Sequence, residues 1–388
     1  VTPNPIPFNR VTPFGRELEY MREAVERGHI SGHGPFSAAC ETILAEIVGS
    51  RRALLTTSCT HALELCALLI EAGPADEVIM PSFTFVSTAN AFVLRGARPV
   101  FVDIRDDTLN LDERLLEHAV TPRTKAVVAV HYAGVGCEMT TIADCARRHG
   151  LQLLEDNAHG LFGTYAGRPL GSFGSASALS FHETKNVSCG EGGALLLNDA
   201  ALVERAEVLR EKGTNRSQFL RGEVDKYTWL DLGSSYIPSE LLAGFLLGQL
   251  EARDAIQRRR HEVFARYDEG LQDWAREYDV RLPSIPDACA HPAHLYYIRL
   301  GTGWSRDRFI GALRQRGILS ASHYVPLHAS PMGSRFGYAP EDLPLTLSAS
   351  AQLVRLPLFA GLDRADQERV IDVVCSTRPA RPVAAQHG

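Results

Sequence analysis

The chain has 388 residues, 45% hydrophobic and 22% charged, enough to bury a sizeable core as a large α/β domain with a smaller companion. Its formal charge of −6 excludes the broad basic surface that a phosphate backbone requires, so nucleic acid is not an expected partner, although one local pocket can still be positive. The opening VTPNPIPFNR carries two prolines within five residues and no long apolar run, and no stretch approaches the ~18–20 apolar residues of a bilayer span. A signal peptide and a membrane helix are therefore not expected, and the cytoplasm is the default compartment. The eight cysteines (Cys40, Cys59, Cys66, Cys137, Cys145, Cys189, Cys289 and Cys375) form no C-x-x-C pair and have no histidine at zinc spacing. They read as reduced, mostly buried thiols, and no metal site is expected.

In chain order, apolar β-rich runs predict strands at 53–56, 77–80, 99–103, 126–131, 151–155, 177–181 and 194–197. Segments of helical period fall among and after them, at 60–71, 140–149 and 201–212, the last with Gly213 as its stop. Runs such as AVVAV and ALLL are apolar throughout, as strands covered on both faces should be. The pattern is that of a doubly wound, mostly parallel sheet, with ligands at the carboxyl ends of its strands. One long helical segment follows at 239–271, with Arg258, Arg259 and Arg260 on a solvated face. Pro283, Pro286 and Pro292 then lead into a compact α+β unit with a strand at 294–300, a helix at 306–315 and a last helix after Asp363. The division is 1–255 for the large domain and 256–388 for the small one, with a frayed tail from residue 379.

The chemistry centres on residues 177–194, SALSFHETKNVSCGEGGA. Lys185 lies just beyond a buried strand and ahead of a glycine-rich turn, where such a fold keeps its site. A lone loop lysine is ordinarily a solvated surface residue, so its neighbours decide the matter. Leu153-Leu154-Glu155-Asp156 ends another buried strand in a carboxylate. Asp156 either caps the next helix or meets a cation such as a protonated pyridine nitrogen. Thr57-Ser58-Cys59-Thr60-His61, between a strand and a helix, is either a plain N-cap or an anion site fit for a phosphate monoester, to which Ser180 adds a hydroxyl. In Pro81-Ser82-Phe83-Thr84-Phe85, a phenyl ring either joins the core or offers a flat face to a planar cofactor, and Phe85 is the choice over Phe83 for that face.

The runs SFHETKN and GEGGA, EDNAHG at 155–160, PSFTFVSTANAFVLRGARPVFVD at 81–103 and HYVPLH at 323–328 resemble the sugar aminotransferase family, of fold type I among pyridoxal-phosphate enzymes. The similarity runs over nearly the whole chain. REKGTNRSQFLRGEVDKYTW at 210–229 and DLGSSYIPSE at 231–240 are closest to the branch of dTDP-4-amino-4,6-dideoxyhexose transaminases. The resemblance implies that Lys185 is the Schiff-base lysine and proton shuttle and that Asp156 partners the pyridine nitrogen. It implies Phe85 on the ring face, Cys59, Thr60 and Ser180 at the phosphate, and His159 beside the phenolic oxygen. Where many relatives read G-Y-N-Y-R-M-S-E, this chain has Ser235 at the position of the Asn that reaches the partner subunit's phosphate. His323 and His328 fall in the segment that lines the sugar-nucleotide pocket, or are satisfied histidines of the small domain.

The implied reaction moves the amino group of L-glutamate to C4 of dTDP-4-keto-6-deoxy-D-glucose, in a homodimer with shared sites. The rivals are amination at C3, a dehydratase and a non-catalytic regulator of the same fold. Dehydratases similar to the family carry His in place of the lysine, and a regulator has no need to keep Lys185, Asp156 and the phosphate loop together. No G-x-G-x-x-G follows the first strand, which disfavours a dinucleotide dehydrogenase.

Overall fold

A computed structural model describes residues 4–379; apart from Pro379, the tail expected to fray lies outside them. Seven strands form the central sheet: β1 (Arg52–Thr56), β2 (Glu77–Pro81), β3 (Arg98–Val102), β4 (Thr124–Val130), β5 (Gln152–Asp156), β8 (Ala176–Ser180) and β9 (Gly193–Leu197). Their spatial order is β1-β9-β8-β5-β4-β2-β3. All run one way except β9, which is antiparallel to both its neighbours. Each lies within two residues of its expected place. The two-residue strands β6 (Thr164–Tyr165), β7 (Arg168–Pro169) and β10 (Cys289–Ala290) make a separate small sheet.

Alternation along the strands divides the core between the two faces. Val78, Met80, Ala126 and Val128 share one apolar cluster with helices α3 (Cys59–Leu69), α4 (Val86–Val93) and α7 (Val203–Arg210). Ile79, Val127 and Ala129 face the other way, onto α5 (Leu116–Ala119) and α6 (Met139–Arg148). Further along that second face, Leu55, Leu179 and Leu196 pack on α1 (Glu17–Glu26), α2 (Pro35–Val48) and α9 (Glu240–Glu251). A Cβ on Gly248 would stand 2.6 Å from the Glu17 nitrogen, so a residue without a side chain is what lets α9 and α1 approach. Helix α8 (Arg216–Leu220) sits in the excursion between α7 and α9.

The long helix expected at 239–271 is two helices. Helix α9 stops at Glu251 and α10 (Arg253–Glu277) starts after Ala252, whose φ of −86° and ψ of 4° leave the helical ladder. Alanine favours a helix, so the break comes from packing: α9 belongs to the sheet domain, while α10 carries Tyr267, Leu271 and Trp274 into a second core. The position between residues 255 and 256 falls in the first turn of α10. The second core is built with β11 (Tyr296–Arg299), β12 (Leu353–Leu356), α11 (Arg306–Gln315) and α13 (Arg364–Ser376). Ile6 joins it by pairing with Ile318, so the N-terminal segment packs on the C-terminal unit. Helix α12 (Pro344–Gln352) precedes β12.

The solvated face expected for the three arginines holds for Arg258, which is exposed, and in part for the half-buried Arg259, but not for the third. Arg260 is 2% exposed. Its guanidinium donates to the carbonyls of Ala293 (3.1 Å from Nε) and His294, because the turn of α10 that carries it faces the strap entering β11.

Candidate active site

The carboxyl ends of β1, β2, β4, β5 and β8 open on one cavity of about 480 Å³, closed on its far side by residues of the small domain. Lys185, Asp156, Cys59, Thr60, Phe85, His159, Ser180 and His323 all line it. Ser235 and His328 do not.

Consecutive residues of a strand face opposite ways, which gives Glu155 and Asp156 separate tasks. Glu155 is fully buried, meets His131 Nε2 at 2.9 Å and accepts the N–H groups of Gly171, Phe173 and Gly174, each at 2.7 Å. Asp156, 6% exposed, points into the cavity. Its Oδ2 accepts the Thr88 hydroxyl at 2.7 Å and its Oδ1 the Ala158 N–H at 3.2 Å. No helix begins after it. Among the described residues no cation pairs with this carboxylate, and a buried carboxylate in that condition wants one.

Lys185 sits on the turn beyond β8, its N–H held by the His182 carbonyl at 2.9 Å. Burial pulls its ammonium down to about 8, against the opposing pull of Cys59 and Asp156. At neutral pH a tenth or so of it is already free amine. The same burial pushes the Cys59 thiol well up, so that side chain is a neutral wall.

Ser58 caps α3 by accepting the His61 N–H at 3.1 Å. The N–H groups of Cys59 and Thr60, the first two helical positions, have no intrahelical acceptor and open on the cavity. A Cβ on Gly193 would stand 2.4 Å from the Cys59 nitrogen, so a glycine is needed for β9 to pass this close. The Thr60 hydroxyl bonds Ser87 at 2.7 Å, and Ser180, the last residue of β8, completes a ring of hydroxyls. Helix N-terminus and hydroxyls together form an anion cradle. Phe85 is the residue before α4 and is 58% exposed, whereas Phe83 is buried edge-on to Tyr132 at 5.1 Å.

Three imidazoles occupy the opposite wall. His159 stacks on His294 at 4.2 Å, and His323 stacks on Tyr324 at 3.9 Å. Burial, reinforced by the charges of Lys185 and Arg355, holds all three well below the usual range, so they are neutral. Their tautomers follow from their partners. His159 Nδ1 accepts the Ala133 N–H at 3.3 Å, which leaves its proton on Nε2. His294 Nδ1 lies 2.7 Å from Asn186 Oδ1 and donates to it, which leaves Nε2 a free acceptor. Asn186, next to Lys185, also donates to the Pro292 carbonyl at 2.7 Å.

The two residues outside the cavity stand differently: His328 departs from its assigned place, while Ser235, assigned to the partner subunit's site, lies on the surface. His328 is fully buried; Nδ1 meets Ser82 Oγ at 2.7 Å and Nε2 the Pro340 carbonyl at 3.0 Å, so it is a satisfied core histidine rather than a pocket residue. Ser235 is exposed and bridges to Glu211, while its neighbour Tyr236 accepts the Thr57 N–H at 2.8 Å. Sequence reasoning missed His294 and Arg355. The first reads as the start of a strand and the second as one polar residue in VRLPL.

The model of the DegT/DnrJ/EryC1/StrS aminotransferase family matches residues 14–375. The chain belongs to that family. It is 37% identical over 366 residues, 92% of this chain and 93% of the relative, to the spore coat polysaccharide biosynthesis protein SpsC of Bacillus subtilis. Among solved structures it is similar to the aminotransferase TlmJ of Streptoalloteichus hindustanus, with 32% identity, a TM-score of 0.88, and 96% and 98% of the two chains covered. It is also similar to the PLP-form of the sugar aminotransferase Spr1654 of Streptococcus pneumoniae, at 25% identity and a TM-score of 0.87 over 95% and 97% of the chains.

As a sugar aminotransferase of this family the protein is a pyridoxal-phosphate enzyme with the fold-type-I architecture. Its residues fit the cofactor. A cation-seeking carboxylate, an anion cradle built on a glycine-only approach and a lysine with a lowered pKa face one another across a single cavity. Among the described residues, no helix is long and apolar enough to cross a membrane.

Proposed function

We propose that this sugar aminotransferase transfers the amino group of L-glutamate to C4 of dTDP-4-keto-6-deoxy-D-glucose, yielding a dTDP-4-amino-4,6-dideoxyhexose. The observation that carries the reading of the site is the meeting of Lys185, Asp156 and the α3 N-terminus in one cavity. The substrate assignment is supported by the runs at 210–229 and 231–240, which resemble the dTDP-4-amino-4,6-dideoxyhexose branch. The eight cysteines are all unpaired, which suits the reducing cytoplasm.

Bound pyridoxal phosphate supplies an electron sink for the charge left when an amino acid loses its α-proton. Lys185 would hold it through Nζ and, as a neutral amine, would carry the proton taken from the donor α-carbon. Asp156 holds the proton on the pyridine nitrogen. Cys59 and Thr60, through backbone N–H groups, and Ser180, through its hydroxyl, bind the phosphate. Phe85 would lie against the cofactor ring, and His159 would offer its Nε2–H to the phenolic oxygen. His323 faces the sugar.

A homodimer completes the proposal, with Ser235 reaching the partner's phosphate. The exposed apolar side chains Val86, Leu94, Trp229 and Leu230 are surface that a second copy would cover. Incubation with dTDP-4-keto-6-deoxyglucose and L-glutamate, followed by proton NMR, is expected to give an amine at C4. An amine at C3 would replace this reading with the neighbouring regiochemistry.

A further inference from the structure

The cavity contains a guanidinium that has no counter-charge among the described residues. Arg355 lies in β12 opposite Tyr297 of β11 and reaches the cavity from the small domain. Its guanidinium carbon lies 4.6 Å over the Phe8 ring. Nη2 makes one long contact, 3.4 Å, with the Ser322 carbonyl, and the buried Nε has no acceptor among the described residues. No carboxylate of the described residues pairs with it.

The other charged groups of the cavity are already accounted for. Asp156 serves the pyridine nitrogen, Lys185 carries the cofactor, the three imidazoles are neutral, and Glu191 at the rim lies 3.9 Å from His182. The cofactor phosphate has its own cradle at α3. A partly buried guanidinium without an anion is costly, and its planar fork matches a carboxylate.

Of the two substrates, the amino acid carries a carboxylate one bond from the carbon whose proton Lys185 takes. The diphosphate of a nucleotide sugar is joined at C1, across the ring from C4. Arg355 lines the same cavity as Lys185, His159, His294 and His323. That proximity favours the nearer anion. We propose that Arg355 binds the α-carboxylate of the amino-acid donor, an assignment that rests on the two-substrate reading given above.

The test separates the half-reactions in the cofactor-loaded protein. Wild type is screened with L-glutamate, L-glutamine, L-aspartate and L-alanine, all of which carry the α-carboxylate, and the best donor becomes the probe. In R355Q the apparent Kd for that donor should rise about 100-fold, with R355K intermediate, because a lysine keeps the charge and loses the fork. The keto-sugar half-reaction, started from aminated protein, should keep its Kd within about threefold. The thermal stabilisation of wild type by 2-oxoglutarate should be lost in R355Q while the visible absorbance of the loaded protein remains.

Unchanged donor binding overturns the proposal. So does a loss confined to the sugar half-reaction, which would assign Arg355 to the diphosphate. A joint loss of both half-reactions with the absorbance would make the residue structural. If no amino acid aminates wild type, the donor reading itself is wrong, a result visible before any variant is made.

Discussion

The Thr88 hydroxyl donates to Asp156 Oδ2 at 2.7 Å and is itself 2.8 Å from the Thr84 hydroxyl, so the proton order runs Thr84 to Thr88 to Asp156. A carboxylate accepts only, which fixes that direction. The two hydroxyls hold Asp156 aimed at the cavity. T88V removes a hydrogen bond to a charged group, worth about 1.5–3 kcal/mol, and is expected to lower kcat/KM by about 10- to 100-fold. D156N removes the charge itself and should cost on the order of 10²- to 10³-fold, with weaker cofactor retention. Steady-state kinetics with cofactor titration check both; a T88V enzyme with wild-type kcat/KM would remove the chain from the mechanism.

Lys185 should report its lowered pKa directly. In cofactor-free protein the free amine grows as pH rises through about 8. Capture of pyridoxal phosphate, trapped by borohydride, should therefore rise to a half-maximum near pH 8 and level off, and K185A should abolish it. An ordinary lysine would still gain about tenfold per pH unit at that point. The same shift acts on stability. Between about 8 and the unfolded value of about 10.4 the unfolded chain binds the extra proton, so this group adds stability as pH rises through that window.

Much of the sheet was legible because buried strands are short apolar runs that end where the chain turns polar, and those ends are also the site. Lys185, Asp156, Cys59 and Ser180 were candidates partly for that reason, since each stands at or just past the edge of a strand; their roles came from the resemblance. What the sequence hid depends on contacts between distant segments. Arg260 follows two other arginines and reads as surface; only the strap at 292–294, more than thirty residues later, makes it a buried donor. The break at Ala252 carries no helix-stopping residue. His323 and His328 share one short motif, yet Ser82 and Pro340 claim the second. Helix α4 was missed because VSTANAFV, β-branched and small, has no amphipathic period.

Arg260 holds the strap that presents His294 to the cavity. R260M leaves the Ala293 and His294 carbonyls without donors, although it also removes a buried cation that burial already pulls down to about 9. The unsatisfied carbonyls should prevail, with a net loss of about 2–3 kcal/mol in urea unfolding. Because His294 is bonded to Asn186 beside Lys185, the variant should also lower kcat. R260K, with one donor group in place of a fork, should fall between. An R260M protein as stable as wild type would mean that the removed desolvation cost outweighs the two bonds.

The two histidines of residues 323–328 should separate stability from catalysis. His328 joins Ser82 to Pro340 in a site with no exposed surface, so H328A leaves the Ser82 O–H proton without an acceptor and the Pro340 carbonyl without a donor, while the residue-328 N–H still reaches Ser82 Oγ at 3.0 Å. The expected cost is about 2–4 kcal/mol of stability. The KM for the sugar nucleotide should not move, because the ring is not part of the cavity wall. His323 is the reverse case. It lines the cavity, stacks on Tyr324 and has one long contact, 3.3 Å, with the Tyr132 hydroxyl. H323A should leave Tm within a few degrees and raise the KM for the sugar nucleotide about tenfold, the loss of one hydrogen bond or stacking contact. Thermal melts and kinetics on the same preparations decide it. If H328A shifts KM while H323A shifts only Tm, the roles assigned to the two rings are exchanged.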